Sequence, residues 1–372
     1  KKMKFTCSQQ KLSKALNIVS KAVSTRTTIP VLKGILLKSE ENSLILSASD
    51  LDLSIEKAID VNVIEEGSVV IPAKLFGDIV RKLPNEEILI EEEENNVIMI
   101  KTSKSEFKII GFSSEEFPNL SDEEENINEL SFDREIFKSM ISRTSFAATI
   151  DESKGVLTGV LIEIEENYIN MVALDGFRMA VTRELMKNAE NNNIIISAKI
   201  LNEINKIISE SDGEEDIKIS LGQKKAFIKV DTTHIILRLL EGEFIKYRDI
   251  LPKSCSTTVT ISRGELIESI ERASLLAKEG KNNLIRINIK NNLLTLTSKS
   301  EEGNVKEEII MEKTGEDLEI GFNSKYMLDA LKVIDDEYVK IELNTSITPA
   351  LVKPIEGNLY EYLILPVRIS SN

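Results

Sequence analysis

The stretch PAKLFGDIVRKL, Pro72 to Leu83, returns twice along the chain, as SAKILNEINKII from Ser197 to Ile208 and as NSKYMLDALKVI from Asn323 to Ile334. Lys74, Lys199 and Lys325 align. An acid stands four residues on (Asp78, Glu203, Asp329) and a base three beyond it (Arg81, Lys206, Lys332). Each copy carries an apolar face of helical period, such as Leu75, Phe76, Ile79, Val80 and Leu83, and opens on Pro72, Ser197 or Asn323, which suit the N-terminal edge of a helix. A lysine one turn from an acid is common in any helix. Three copies at a spacing of about 125 residues are the mark of an internal repeat.

Two further sets keep this period. CSQQKLSKALNIVSKAVS from Cys7, FDREIFKSMISRTSFAA from Phe132 and ISRGELIESIERASLLA from Ile261 place Leu12, Phe137 and Leu266 at equivalent points, with Ser8, Asp133 and Ser262 as candidate N-caps. ASDLDLSI from Ala48 matches ALDGFRMA from Ala173, so Asp50 aligns with Asp175; the third copy, near Ser300, lacks the aspartate. The 372-residue chain therefore reads as one unit repeated three times, with domains predicted at 1–126, 127–252 and 253–372. The acidic stretch Ser121 to Glu129 and LPKSCSTT from Leu251 read as connectors.

Between the helices lie strand-like runs: GILLKSE from Gly34, SLILSAS from Ser43, LDLSIEKAI from Leu51, EILIEEE from Glu87, VIMIKTS from Val97 and SEFKIIGF from Ser105. Their alternation and β-branched content, broken by short Asn, Ser and Glu turns, predict antiparallel strands. The expected fold class is α+β: three repeated domains, each with two helices packed on antiparallel sheets.

Composition narrows the function. A hydrophobic content of 41% with mixed charge is that of a soluble globular chain. Apolar runs are as short as Ile194-Ile195-Ile196, too short to span a membrane, and no signal peptide is visible. Cys7 and Cys255, far apart and outside any CxxC, suit a reducing, cytoplasmic compartment and buried thiols. A net charge of −15 by itself argues against nucleic acid. The distribution is less simple: the six helical windows sum to +7, so the rest of the chain carries −22. Either helices merely favour lysine and turns favour acids, or the helices form a basic side that holds a polyanion through phosphates, without reading bases. Lys74, Arg81 and Lys199 are the helix cations suited to that role.

No motif for nucleophilic, metal or phosphate-loop chemistry occurs, and no cofactor or metal is expected. His234, the one histidine, sits in the apolar run DTTHIILRL and reads as structural. Asp50 and Asp52 could be imagined as a metal pair, but their repeat partner Asp175-Gly176-Phe177 lacks the second acid. The run Glu91 to Glu94 reads as a solvated sheet edge. VALDGFRMAV, Val172 to Val181, could on its residues be an active-site loop, a binding rim or a charged hairpin turn. The repeat assigns its aspartate first to the fold, as a turn carboxylate.

Several motifs carry a resemblance. TRTTIPVLKGILL (Thr25 to Leu37), ASDLDLSI, VIPAKLFGDIVRKLP (Val70 to Pro84), FPNL (Phe117 to Leu120), ALDGFRMAV, YRDILP (Tyr247 to Pro252), EIGFNSKYMLDAL (Glu319 to Leu331) and YLILPVR (Tyr362 to Arg368) are similar, in order and over essentially the whole chain, to the bacterial DNA polymerase III beta subunit, the sliding-clamp family. The resemblance implies three similar domains per chain. It implies a homodimer closed head to tail around double-stranded DNA, with helices inside and sheets outside, and no catalysis. It also implies a pocket between the second and third domains that takes short apolar peptides from the DNA polymerase III alpha subunit, the clamp loader, other polymerases and repair proteins. Position by position, the pocket would comprise Leu157, Leu174, Gly176, Phe177, Arg178, Met179, Ile250, Tyr326, Ile347, Pro349, Ile364, Leu365, Pro366, Val367 and Arg368. Such a groove of apolar residues with an arginine at its edge suits an apolar peptide anchor. Arg26 matches a DNA-touching arginine. Lys154 lies in the loop Asp151 to Gly159, where some members have aromatic residues and this chain has Gly155-Val156. Asp249 stands where some members carry a base, which predicts a more acidic rim.

Overall fold

The computed structural model describes residues 2–24, 26–120, 129–186 and 191–369. Six α-helices appear where the repeats predict them: α1 Gln9–Val19, α2 Ala73–Lys82, α3 Arg134–Thr144, α4 Ala198–Glu210, α5 Arg263–Ala277 and α6 Ser324–Lys332. Every strand pairing described is antiparallel, so the chain is α+β. Ser262 and Asn323 cap α5 and α6 with their side chains. Ser8 stands at the cap position of α1 but makes no cap hydrogen bond. There the Gln9 N–H goes to the Glu86 carbonyl at 3.0 Å, so the backbone of a neighbouring segment satisfies it instead.

The residues divide into two compact units, Lys1–Glu135 with Glu203–Leu239, and Ile136–Asn202 with Leu240–Asn372. In the first, a nine-stranded sheet runs from Phe112–Ser113 through Gly67–Pro72, Gly34–Glu40, Ser43–Ser49 and Leu53–Asp60 into Thr233–Arg238, Lys225–Val230, Ile217–Leu221 and Glu129–Phe132. It crosses the repeat junction where Leu53 stands opposite Leu237. A five-stranded sheet, ending on Glu106–Ile110, completes this unit. α1 and α2 pack together and bury Leu12, Leu16, Phe76 and Val80. Each such side chain contributes about 1.5–3 kcal/mol of burial.

The second unit repeats the plan. Its nine-stranded sheet crosses the next junction where Arg178–Leu185 pairs with Tyr360–Ile364. Its four-stranded sheet ends on Gly303–Ile310, and α5 packs against α6. The central repeat thus contributes to both units, because its two sets of strands are claimed by different neighbours.

Three expectations change. The run Glu91 to Glu94 starts inside a sheet rather than on its edge: Glu87–Glu92 lies between Lys4–Ser8 and Val97–Lys101, and Glu93 and Glu94 lead into the turn that follows. Lys4 meets Glu91 at 3.0 Å, which makes that acid compatible with an interior strand, and Lys108 meets Glu93 at 2.6 Å where the chain leaves it. Cys7 is buried, and that burial pushes its thiol up to about 12, but Cys255 is exposed in the irregular segment before Thr257–Ser262. Of the connector Ser121 to Glu129, residues 121–128 lie outside the described residues, and Glu129 already begins a strand.

Candidate functional site

The turn in VALDGFRMAV joins strands Tyr168–Leu174 and Arg178–Leu185. The Asp175 carboxylate accepts the Phe177 N–H at 2.9 Å and the Arg178 N–H at 3.0 Å, and the Asp175 N–H donates to the Arg178 carbonyl at 3.2 Å. This closes an Asx-type turn that needs one residue at positive φ, which Gly176 supplies at +91°. One repeat earlier Asp50 accepts the Asp52 and Leu53 N–H groups at 3.1 and 2.8 Å. In the third repeat Ser300 Oγ accepts the Glu302 N–H at 3.3 Å. The aspartate therefore serves the turn, and what is peculiar to the second repeat is the side chains the turn displays.

Phe177 is 60% exposed and stacks on Tyr326 of α6, ring centroids 6.2 Å apart. Arg178, by contrast, is not a free cation at an edge. Its side chain is 9% exposed: Nε donates to Asp175 at 3.0 Å, Nη1 to Asp329 at 2.6 Å and Nη2 to the Phe146 carbonyl at 3.0 Å. The guanidinium also lies 4.5 Å from the Tyr326 ring centroid. Burial alone would raise the Asp329 pKa, but Lys325, at 2.8 Å, and Arg178 outweigh it and hold the carboxyl below its ordinary value. Arg178 is thus a clamp that ties the turn to α6 and fixes the Phe177–Tyr326 stack.

The segment Ile364 to Val367 is docked here too. Ile364 stands opposite Arg178, the Leu365 N–H donates to the Phe177 carbonyl at 2.9 Å, and the Val367 N–H donates to the Gly321 carbonyl at 2.8 Å. A Cβ on Gly321 would stand 2.7 Å from the Val367 oxygen, so only glycine admits the tail at this distance. Leu365 and Arg368 are exposed, and Pro366 and Val367 are half-buried.

Beneath this surface Leu174 and Met179 belong to an apolar cluster with Val172, Leu351 and Leu363, against which Leu157 packs half-buried. Sequence reasoning missed Phe244, Tyr247, Leu251, Val156, Leu240 and Leu363 as members of that cluster. The apolar residues of LRLLEGEFIK, just ahead of YRDILP, were the available signal. Ile364, fully buried, is core rather than surface. Ile250 and Ile347 are exposed, and Pro349 precedes Ala350, which stands opposite Ile364. Tyr247 and Arg248 hold the YRDILP segment to strand Gly159–Glu165. Arg248 meets both Glu163 oxygens, at 2.7 and 2.6 Å, and the Tyr247 hydroxyl donates to Glu163 at 2.8 Å. Burial opposes ionisation of Glu163, but these bonds and the Arg248 charge leave its pKa below the ordinary 4.5. Asp249 is exposed.

Arg26, Lys74, Lys154 and Lys199 are exposed; Arg81 pairs with Asp78 at 3.2 Å. The helix charge count overstates the free basic surface. Lys14 pairs with Asp212 and Lys21 with Glu210, both at 2.9 Å, and Lys206, Lys325 and Lys332 pair with Glu203, Asp329 and Glu271. His234 is exposed on its strand, opposite Glu56 and Lys229, rather than facing a core. Among the described residues no three His, Cys, Asp or Glu side chains gather as a metal site, and no helix is long and apolar enough to cross a membrane.

Among the described terminal strands, two carry the most exposed isoleucines. Glu106–Ile110 ends the five-stranded sheet with Phe107 and a 75% exposed Ile110 beside Lys108. Gly303–Ile310 ends the four-stranded sheet with an 81% exposed Ile310 beside Glu307 and Glu308, and Leu275 of α5 is also exposed. The charges on both strands are paired within the chain: Glu106 with Lys101, Lys108 with Glu93, Glu307 with Arg272 and Glu308 with Lys306.

Three family models match the chain in order: the DNA polymerase III beta subunit N-terminal domain over residues 3–121, its central domain over 131–246 and its C-terminal domain over 248–368. A beta sliding clamp of Staphylococcus epidermidis is 38% identical, the match covering 98% of this chain and 99% of that protein. The DNA polymerase sliding clamp of Bacillus subtilis superposes with a TM-score of 0.95 at 32% identity over 100% of both chains. A DnaN sliding clamp of Pseudomonas aeruginosa, solved bound to griselimycin, superposes with a TM-score of 0.93 at 30% identity over 99% of this chain and 100% of that one.

Proposed function

The chain belongs to the DNA polymerase III beta-subunit family, the sliding clamps, and from that membership we propose that it tethers the replicative polymerase to its template as a closed ring. It is a non-catalytic accessory subunit. Its work is topological: weak, sequence-independent phosphate contacts allow sliding, and closure of the ring prevents escape. A polymerase held this way rebinds as if at about millimolar concentration.

The observation that carries the ring is the pair of open edges. Each leaves a row of backbone donors and acceptors unpaired beside exposed isoleucines, a state that invites pairing. Glu106–Ile110 of one copy laid against Gly303–Ile310 of a second would bury Ile110 and Ile310 and pair the free backbone groups of both strands. Such a head-to-tail contact closes into a ring when two copies suffice for the rotation. The three domains are 1–126, 127–252 and 253–372, and Arg26, Lys74, Arg81, Lys154 and Lys199 meet the phosphates. The surface of Phe177, Ile250, Ile347 and Leu365 over Leu174 and Met179 takes the apolar anchor of a short peptide. Such peptides come from the polymerase alpha subunit, the clamp loader, other polymerases and repair proteins.

The test is retention on DNA. The dimer stays on nicked circular plasmid through gel filtration and is lost once the plasmid is linearised. Equal retention on both forms, or a monomer with none, overturns the ring.

A further inference from the structure

The joint between repeats is made twice inside the chain, and its two halves occur once more unjoined. One half is Leu53–Asp60 or Arg178–Leu185, each opening three residues after a turn aspartate, Asp50 or Asp175. Gly303–Ile310 opens three residues after Ser300, which holds the same turn position. The other half is Thr233–Arg238 or Tyr360–Ile364, and Glu106–Ile110 is their counterpart in the first repeat. The ladders fix the alignment. Cys7, Phe132 and Ile261, each one residue before the matched positions Ser8, Asp133 and Ser262, face Ile88, Ile217 and Val339. The residues after these, Leu89, Lys218 and Lys340, face Lys101, Lys229 and Lys353. Three residues before those lysines stand Ile98, Ala226 and Ala350, which face Ile109, Leu237 and Ile364. These last three are one position, and each is buried. Just beyond it the Gly111 N–H donates to the Asn96 carbonyl and the Leu239 N–H to the Lys224 carbonyl, both at 2.8 Å.

In both internal joints that position faces the residue that opens the opposite strand: Leu237 faces Leu53 and Ile364 faces Arg178. The following N–H then crosses the joint, from Arg238 to the Asp52 carbonyl at 2.8 Å and from Leu365 to the Phe177 carbonyl at 2.9 Å. We propose that two copies join in this same register, with Ile109 opposite the partner's Gly303 and the Ile110 N–H donating to the partner's Glu302 carbonyl. Phe107 then meets the partner's Val305, and Lys108 meets the partner's Asn304. The faces agree. Phe107 shares the face of buried Ile109 and Val305 that of buried Ile309, so core side meets core side. A slip of one residue would set a core side against an outer side. Ile110 and Ile310 fall at the two ends of the contact. The charges of both strands are already paired within the chain, so the backbone carries the register and attraction between copies is not needed. This register rests on the ring reading and adds to it which residue meets which.

The test is disulfide capture in the full chain carrying Cys255→Ser; Cys7 is buried and stays. Lys108→Cys with Asn304→Cys places thiols at directly opposed positions, whose Cα atoms stand about 5.5 Å apart, within disulfide reach. Lys108→Cys with Lys306→Cys, and Glu106→Cys with Asn304→Cys, are each two residues out of step, a displacement of about 6.8 Å along the strand. All four positions are exposed, so the three variants fold alike. Light scattering under reducing conditions shows a dimer for each. On oxidation the in-step variant becomes a covalent dimer on a non-reducing gel at least about tenfold faster than either of the others. Faster capture of an out-of-step variant, or equal rates in all three, overturns the register while the dimer seen by light scattering leaves the ring standing. Monomers under reducing conditions overturn the register and the ring together.

Discussion

Replacing Asp329 with Asn tests whether Arg178 positions the peptide surface or reads the peptide itself. The substitution keeps the shape of the side chain and removes the charge that Arg178 Nη1 meets at 2.6 Å. The two side chains are 9% and 28% exposed, so the pair lies between a surface ion pair, worth at most about 1 kcal/mol, and a buried pair, whose rupture costs about 3–5 kcal/mol. Arg178 keeps its bonds to Asp175 and the Phe146 carbonyl, so the expected destabilisation is about 1.5–2.5 kcal/mol. Arg178→Ala removes all three side-chain bonds at once, although Lys325 stays on Asp329 and the backbone N–H groups stay on Asp175, and costs about 3–4 kcal/mol. The double variant falls short of the sum by about 1 kcal/mol or more, because the two residues share one interaction. Hydrogen exchange of the paired Met179 and Leu363 amides reads these changes in the unit concerned. A labelled apolar peptide titrated alongside should bind Asp329→Asn several-fold more weakly, since the Phe177–Tyr326 stack loses its tie. If Arg178→Ala abolishes binding while Asp329→Asn leaves affinity and exchange untouched, the arginine meets the peptide directly and the positioning argument is wrong.

Gly321→Ala should push the tail away from α6's strand, reducing peptide affinity by about tenfold or more while α5 and α6 stay folded; unchanged affinity would show that the docked tail is dispensable. Glu163 has a folded-state pKa below 4.5, so the stability it contributes is fully present above 4.5 and is lost as pH falls through the lower folded value. Urea midpoints taken from pH 7 down to pH 3 should therefore fall less steeply for Glu163→Gln than for the natural chain, and parallel curves would refute the assignment. Ile110→Lys together with Ile310→Lys, which sets like charges into the proposed contact, should halve the mass measured by light scattering at micromolar concentration, whereas a dimer that persists would place the interface elsewhere.

The helices were legible because each is a local event: Phe76, Ile79 and Val80 recur on one face, and the acid and base around Lys74 recur with them. The sheet order was not legible. That Leu53–Asp60 pairs with Thr233–Arg238 depends on residues some 180 positions apart, and each strand alternates the same way whichever partner it takes. Of the candidate site, the turn was foreshadowed by its repetition, with Asp50, Asp175 and Ser300 doing one job. The inward commitment of Arg178 was hidden, because a base beside an acid in a hairpin has the same pattern whether it faces solvent or a neighbouring helix. The helix charge count erred for a related reason. Lys21 and Glu210 belong to different repeats and cancel only once the chain is folded.

The sheets that stride across the repeat junctions bear on how such a chain can change over evolutionary time. A repeat here is a unit of sequence but not a unit of cohesion: Leu53–Asp60 finishes its sheet on strands borrowed from the next copy, and Arg178–Leu185 does the same one copy later. Removing the central copy would strip both junctions of their partners at once. Point substitution can therefore diversify each copy, as the exchange of Gly176-Phe177 for Leu51-Asp52 illustrates, while loss of the central copy is opposed by the hydrogen bonds that stitch it to both neighbours.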